Sequence, residues 1–219
     1  MITSDRALKV AEFLLQIKAI QLSPEHPFTW ASGLKSPIYC DNRKTLSYPE
    51  VRRYIREAFV ATIRESYGEP QVIAGVATGG IAIGALVAEE MNLPFIYVRS
   101  EPKKHGLGNQ VEGVLLPGQR VVVIEDLIST GSSSLNAVSA LREQQADIVG
   151  MVAIFTYGFK KAVNNFSEAN CPLQTLSNYS ALLEQAVKSN YVTSAQQQAL
   201  INWAESPEAW SEQFITTHS

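Results

Sequence analysis

The chain has 219 residues, 46% of them apolar, and a formal net charge of −3. That apolar share supplies a core for one sizeable domain and excludes a disordered chain, while the mildly acidic balance excludes a basic surface built for nucleic acid or an anionic membrane. Cys40 and Cys171 show no disulfide or metal spacing, the N-terminus lacks the basic start and apolar core of a signal peptide, and no run of about 18 apolar residues occurs. The expectation is a cytoplasmic protein whose anion sites, if any, are local.

In chain order, residues 4–19 carry Leu8, Phe13, Leu14 and Ile17 at helical spacing. PEHPFTWASGLKSPIYCDNRK follows, rich in Pro, Gly and Ser, and predicts turns joined by short extended pieces. Residues 49–67 return to helical periodicity, with Pro49 suited to a first turn. VIAGVA (72–77) predicts a buried strand, 79–91 a helix and 94–99 a second strand. Residues 112–126 read as a hairpin turning at Pro117 and Gly118, whose second arm, VVVIE, is apolar enough to be covered on both faces. A helix is expected over 132–145, with Leu135, Val138 and Leu141 on one side, and a strand over 146–157. The tail, 178–214, reads as mostly helical.

This alternation predicts an α/β fold: a mostly parallel twisted sheet flanked by helices. One domain is expected over 1–219, with a core over about 49–160 and a small cap from about 1–48 plus the C-terminal tail.

The chemistry concentrates in VVVIEDLISTGSSS, residues 121–134. A buried strand ends in two carboxylates, Glu125 and Asp126. Leu127, Ile128, Ser129, Thr130 and Gly131 lead from them into a helix that opens with Ser132 and Ser133. Ligands of open α/β sheets bind beyond the C-terminal strand ends, and a helix N-terminus with unpartnered N–H groups attracts phosphate. A phosphate cradle alone has no use for two negative charges. A sugar phosphate explains both halves, because its hydroxyls donate to carboxylates while its phosphate takes the loop. An ordinary helix N-cap accounts for single Ser or Thr residues but not for the whole string. P-loop and G-x-G-x-x-G spacings are absent.

That string resembles the phosphoribosyl-pyrophosphate signature of the phosphoribosyltransferases: an apolar strand, two acids, then a Ser/Thr–Gly–Ser/Thr loop. A second segment, YVRSEPKKHGLGNQVEG (97–113), resembles the catalytic loop of the orotate phosphoribosyltransferases, R-x-x-x-K-x-H-G, through Arg99, Lys103, His105 and Gly106. A third, FTWASGLKSPIYCDNR (28–43), resembles the same family's N-terminal F-T-x-x-S-G-x-x-S-P through Phe28, Thr29, Ser32, Gly33, Ser36 and Pro37.

The resemblance implies a transferase that moves the 5-phosphoribosyl group from 5-phosphoribosyl-1-pyrophosphate to orotate, giving orotidine 5'-monophosphate for pyrimidine synthesis. It implies Mg²⁺ bound mainly through substrate and water, with no protein metal cage. It places the donor on Arg99, Lys103, His105 and the run Glu125–Ser133, assigns catalysis to Lys103, His105 and Arg99, and gives Ser129 an orotate contact. It also implies a homodimer in which the 99–110 loop serves the partner's site. Some relatives carry Lys where this chain has Ser100, Gly79 and Ala31, and an Arg after the 148–157 strand where this chain offers only Lys160 and Lys161. The alternatives are a phosphoribosyltransferase for another base and a regulator that senses the donor. The R-x-x-x-K-x-H-G loop disfavours both.

Overall fold

The computed structural model describes residues 4–30, 32–101 and 110–217, and the chain divides into two units, Met1–Thr45 with Ser177–Ser219 and Leu46–Leu176. In the first, Ser4 caps helix α1 (Asp5–Gln16) by accepting a hydrogen bond from the Ala7 N–H. Val10, Ala11, Leu14 and Leu15 form its buried stripe. The helix stops short of the predicted residue 19 because Lys18 turns into the left-handed region at φ 54°. Two short antiparallel pairs follow: β1 (Ile20–Leu22) with β4 (Ile38–Cys40), and β2 (Phe28–Thr29) with β3 (Lys35–Ser36). These are the extended pieces that the Pro- and Gly-rich segment predicts.

The larger unit is a six-stranded sheet with helices. Helix α2 (Pro49–Tyr67) has Pro at its start, where a missing N–H costs nothing. At its end the Tyr67 hydroxyl donates to the carbonyls of Met151 and Pro172. Then come β5 (Val72–Val76), α3 (Gly79–Met91), β6 (Phe95–Val98), β7 (Val111–Glu112), β8 (Arg120–Ile128), α4 (Ser132–Glu143), β9 (Asp147–Thr156), α5 (Lys160–Glu168) and β10 (Leu173–Asn178). The order across the sheet is β10-β9-β8-β5-β6-β7. The central pairs β6–β5, β5–β8 and β8–β9 are parallel. The tail returns to the smaller unit as α6 (Tyr179–Lys188), α7 (Ser194–Glu205) and α8 (Pro207–Thr217), with α7 opened by a capping box between Thr193 and Gln196.

One predicted element is wrong. Residues 112–126 do not form a hairpin: Val111–Glu112 pairs with Val98–Tyr97 at the sheet edge, and β8 lies between β5 and β9. Both edges of β8 are taken by parallel neighbours, so its preceding segment has no edge left to pair with. Burial decides the outcome. Val121, Val122, Val123 and Ile124 are fully buried at the centre, and each apolar side chain gains about 1.5–3 kcal/mol from burial. The Val114 and Leu116 side chains of the connecting segment stay exposed. Helix α5 and strand β10 lie in residues for which the sequence predicted no element.

Candidate active site

Strand order reverses between β5 and β8. The chain leaves β5 toward β6 on one side and returns to β8 on the other. A crevice beyond the C-terminal ends of two such strands is where open α/β sheets hold ligands. Here the segment Ala77–Gly80 follows β5 and the run Glu125–Ser133 closes β8. Because β6 is parallel to β5, Arg99 also leaves the sheet at this end.

The two carboxylates face different surroundings. Glu125 is buried, 5% exposed. One of its oxygens accepts from Ser134 Oγ at 2.8 Å and the other from the Asp126 N–H at 2.9 Å. Burial pushes its carboxyl up to about 8, the neighbouring Asp126 adds to the rise, and the Asp126 N–H and Ser134 hydroxyl offset part of it. Asp126 is only half-buried. Its carboxylate occupies the space where a side chain at position 79 would begin, so Gly79 is the residue that admits it. A lysine there would displace Asp126.

The loop after β8 is short. Ile128 still pairs with Thr156, which leaves Ser129, Thr130 and Gly131 before α4. Gly131 sits at φ 80°, a conformation that costs L side chains energy, and its Cα faces the Phe166 ring closely enough that a Cβ would strike it. Thr130 Oγ1 and Ser132 Oγ lie 3.2 Å apart, and Asn165 Nδ2 donates to the Thr130 carbonyl at 2.9 Å. Ser132 and Ser133 are exposed at the start of a twelve-residue helix, where free N–H groups and the helix dipole favour an anion.

The structure thus brings Glu125, Asp126 and Ser129–Ser133 together, with Leu127 half-buried and Ile128 buried in the strand that carries them. Arg99 stands at the base of the 99–112 segment. Its N–H donates to the Gln110 carbonyl, and its guanidinium lies 3.6 Å from Glu112. That pair is partly exposed, so its strength is modest. Lys103 and His105, with Ala31, lie outside the described residues.

Among the described residues, no cluster of three His, Cys, Asp or Glu side chains could hold a metal ion. Both oxygens of Glu125 are engaged and its side chain is buried, whereas Asp126 is half-buried. A hard cation carried by phosphate oxygens and water suits such a site.

Three participants escape sequence reading, and a fourth, Gly79, is named there only for the lysine it lacks. Ser134 holds Glu125, Gly79 makes room for Asp126, Asn165 holds the loop carbonyl, and Phe166 packs on Gly131. Only Ser134 lies inside the string that drew attention.

The family described as "Phosphoribosyl transferase domain" matches residues 45–182. The orotate phosphoribosyltransferase of Phocaeicola vulgatus is 57% identical over 200 residues, covering 91% of this chain and 94% of that protein. The crystal structure of orotate phosphoribosyltransferase from Aeropyrum pernix superposes with a TM-score of 0.73 at 26% identity, covering 84% of this chain and 99% of that one. The structure of Leishmania donovani UMP synthase superposes with a TM-score of 0.76 at 27% identity. There 90% of this chain is covered, but it spans only 42% of that longer chain.

Proposed function

The chain belongs to the phosphoribosyltransferases and, within them, to the orotate phosphoribosyltransferases, and from this premise we propose how its residues carry out that family's reaction. The donor is 5-phosphoribosyl-1-pyrophosphate and the acceptor orotate. The bond from C1 of the ribose to pyrophosphate breaks, the pyrophosphate keeps the electron pair, and a ring nitrogen of orotate supplies the pair for the new C1–N bond as its N–H proton passes to solvent.

The observation that carries the reading is the pairing of a hydroxyl-rich helix start with a half-buried carboxylate at one strand end. The 5-phosphate lies on Ser129–Ser133. Asp126 accepts from the ribose hydroxyls. Glu125, whose oxygens are taken, fixes the Asp126 backbone and the first turn of α4. Arg99, Lys103 and His105 stabilise the leaving pyrophosphate, an electrostatic effect that grows as water is excluded. Ser129 touches orotate. Mg²⁺, held mainly by the donor's oxygens and water, would neutralise part of the leaving group's charge.

The chain works as a homodimer, with the 99–110 loop of each subunit serving the partner's site, and it works in the cytoplasm. No helix among the described residues is long and apolar enough to cross a membrane. Mixing Lys103→Ala with Asp126→Asn subunits tests the exchange: partial recovery of activity is expected, and none is recovered if each site is built from one chain.

The reaction itself is tested by incubating the protein with Mg²⁺, the donor and each of orotate, adenine, hypoxanthine and uracil, following base consumption and pyrophosphate release. Turnover with orotate alone is expected. Turnover with another base, and none with orotate, would overturn the acceptor while keeping the donor site.

A further inference from the structure

We infer that Asn165 is a positioning residue for the donor's 5-phosphate, acting through the backbone of the loop after β8. The inference rests on the reading of Ser129–Ser133 as the phosphate loop.

Two carbonyls near this loop are held by the stretch that ends β9 and forms α5. The Ile128 carbonyl accepts from the Tyr157 N–H at 3.2 Å and from Thr156 Oγ1 at 3.3 Å. The Thr130 carbonyl accepts from Asn165 Nδ2 at 2.9 Å. A planar trans peptide points its C=O and N–H in opposite directions. Fixing these carbonyls toward β9 and α5 therefore turns the N–H groups of Ser129 and Gly131 the other way, away from that flank. Two amides turned away from these partners, with Thr130 between them, border a place for an anion, which the start of α4 extends. The first is held by a backbone N–H, that of Tyr157, with the Thr156 hydroxyl beside it. The second depends on one side chain.

Helix α5 is placed to deliver that side chain. Ala162 and Phe166 bury its inner face, and Phe166 meets Gly131. Its C-terminal end is held by Arg142 of α4, which donates to the carbonyls of Ala169 and Asn170 at 2.7 and 2.9 Å. Asn165 thus projects from a helix anchored on both sides of it. Without its amide, the Thr130–Gly131 peptide is free to rotate, and each phosphate encounter must first restore its orientation. Such a loss of preorganisation raises donor KM more than it lowers kcat.

The experiment measures binding of ribose 5-phosphate by calorimetry, steady-state kinetics for both substrates, and thermal unfolding, in the wild type, Asn165→Ala, Asn165→Asp and Asn165→Gln. Wild type should bind ribose 5-phosphate. Asn165→Ala should bind it roughly five- to tenfold more weakly, the effect of one hydrogen bond. Its donor KM should rise in parallel, while orotate KM and Tm hold. Asn165→Asp keeps the shape but turns the donor into an acceptor, and should lose at least as much. Asn165→Gln, which keeps the amide, should recover part of the affinity. Equal ribose 5-phosphate affinity in wild type, Asn165→Ala and Asn165→Asp overturns the inference while leaving the phosphate loop in place. Parallel loss of Tm and of affinity for both substrates overturns it in favour of a purely structural role. No ribose 5-phosphate binding by the wild type overturns the loop assignment, and the inference with it.

Discussion

The segments that follow β5 and β8 leave the sheet side by side, yet their materials are opposite. After β5, Ala77–Gly80 carries one hydroxyl and two glycines, and Gly79 leaves a space that the Asp126 carboxylate fills. At the end of β8 and beyond it, Glu125–Ser134 carries two carboxylates and five hydroxyls, braced by Asn165 and Phe166. One segment is emptied so that the other can be furnished. A carboxylate at a strand end needs somewhere to lie, and here the neighbouring helix start supplies it by having no side chain. The comparison also shows what both lack. Neither run contains a Lys or Arg, and in the proposed mechanism charge stabilisation of the departing pyrophosphate is therefore assigned to Arg99, Lys103 and His105.

That division of labour breaks most visibly at the cations. Lys103→Ala should lower kcat by roughly 10²–10³, the usual loss when a preorganised charge-stabilising donor is removed. Unchanged kcat in a steady-state assay would return the task to the two loops. Next in size is Gly79→Ala. The new methyl meets the mobile end of the Asp126 side chain rather than backbone, so the chain folds and Asp126 moves. Donor KM should rise about tenfold or more while Tm shifts little, because the carboxylate lost to the ribose acts on binding alone. A large drop in Tm with normal donor KM would mean that Gly79 serves packing instead.

Gly131→Ala acts on stability. It combines φ 80° with contact on Phe166 and should cost about 1–3 kcal/mol by denaturant unfolding. Gly118→Ala, at φ 79° in open space, isolates the conformational part and should cost less. Equal costs would show that Phe166 does not press on the loop.

The last effect concerns pH. The Glu125 carboxyl is raised on folding from 4.5 to about 8, so the folded chain binds this proton more tightly than the unfolded one. Its contribution is full below about 4.5 and is lost as pH rises toward 8. Glu125→Gln removes the titration. Between pH 5 and 8 wild type should lose about 1–3 kcal/mol relative to that variant, read from unfolding midpoints. Identical slopes would place Glu125 in contact with water.

Much of this arrangement is legible in the sequence, for physical reasons. β8 announces itself because a strand covered on both faces must be continuously apolar, and the polar string that follows it has no use inside a core. The helices at 49–67 and 79–91 fall where periodicity puts them. The hairpin at 112–126 fails because adjacency in sequence says nothing about which strand edges are already occupied. Helix α5 is missed because only Ala162 and Phe166 mark its buried face in nine residues, and β10 because its polar Gln174, Thr175, Ser177 and Asn178 hide the strand. Asn165 therefore has no signal of its own: an asparagine in a short polar helix looks like any surface residue until its partner carbonyl is seen. The separation of Glu125 from Asp126 is equally hidden. Adjacent residues on a strand point to opposite faces, but which face is sealed depends on Ser134 and on the helix at Gly79.

The central claim is that Asp126, seated against Gly79, holds the ribose of the phosphoribosyl donor. It is met most directly by titrating Mg²⁺–phosphoribosyl pyrophosphate into wild type and Asp126→Asn by calorimetry. The account predicts a fall in donor affinity of at least about tenfold, the worth of charge-assisted hydrogen bonds to two hydroxyls, with the fold unchanged. Equal affinity in the two proteins would contradict it.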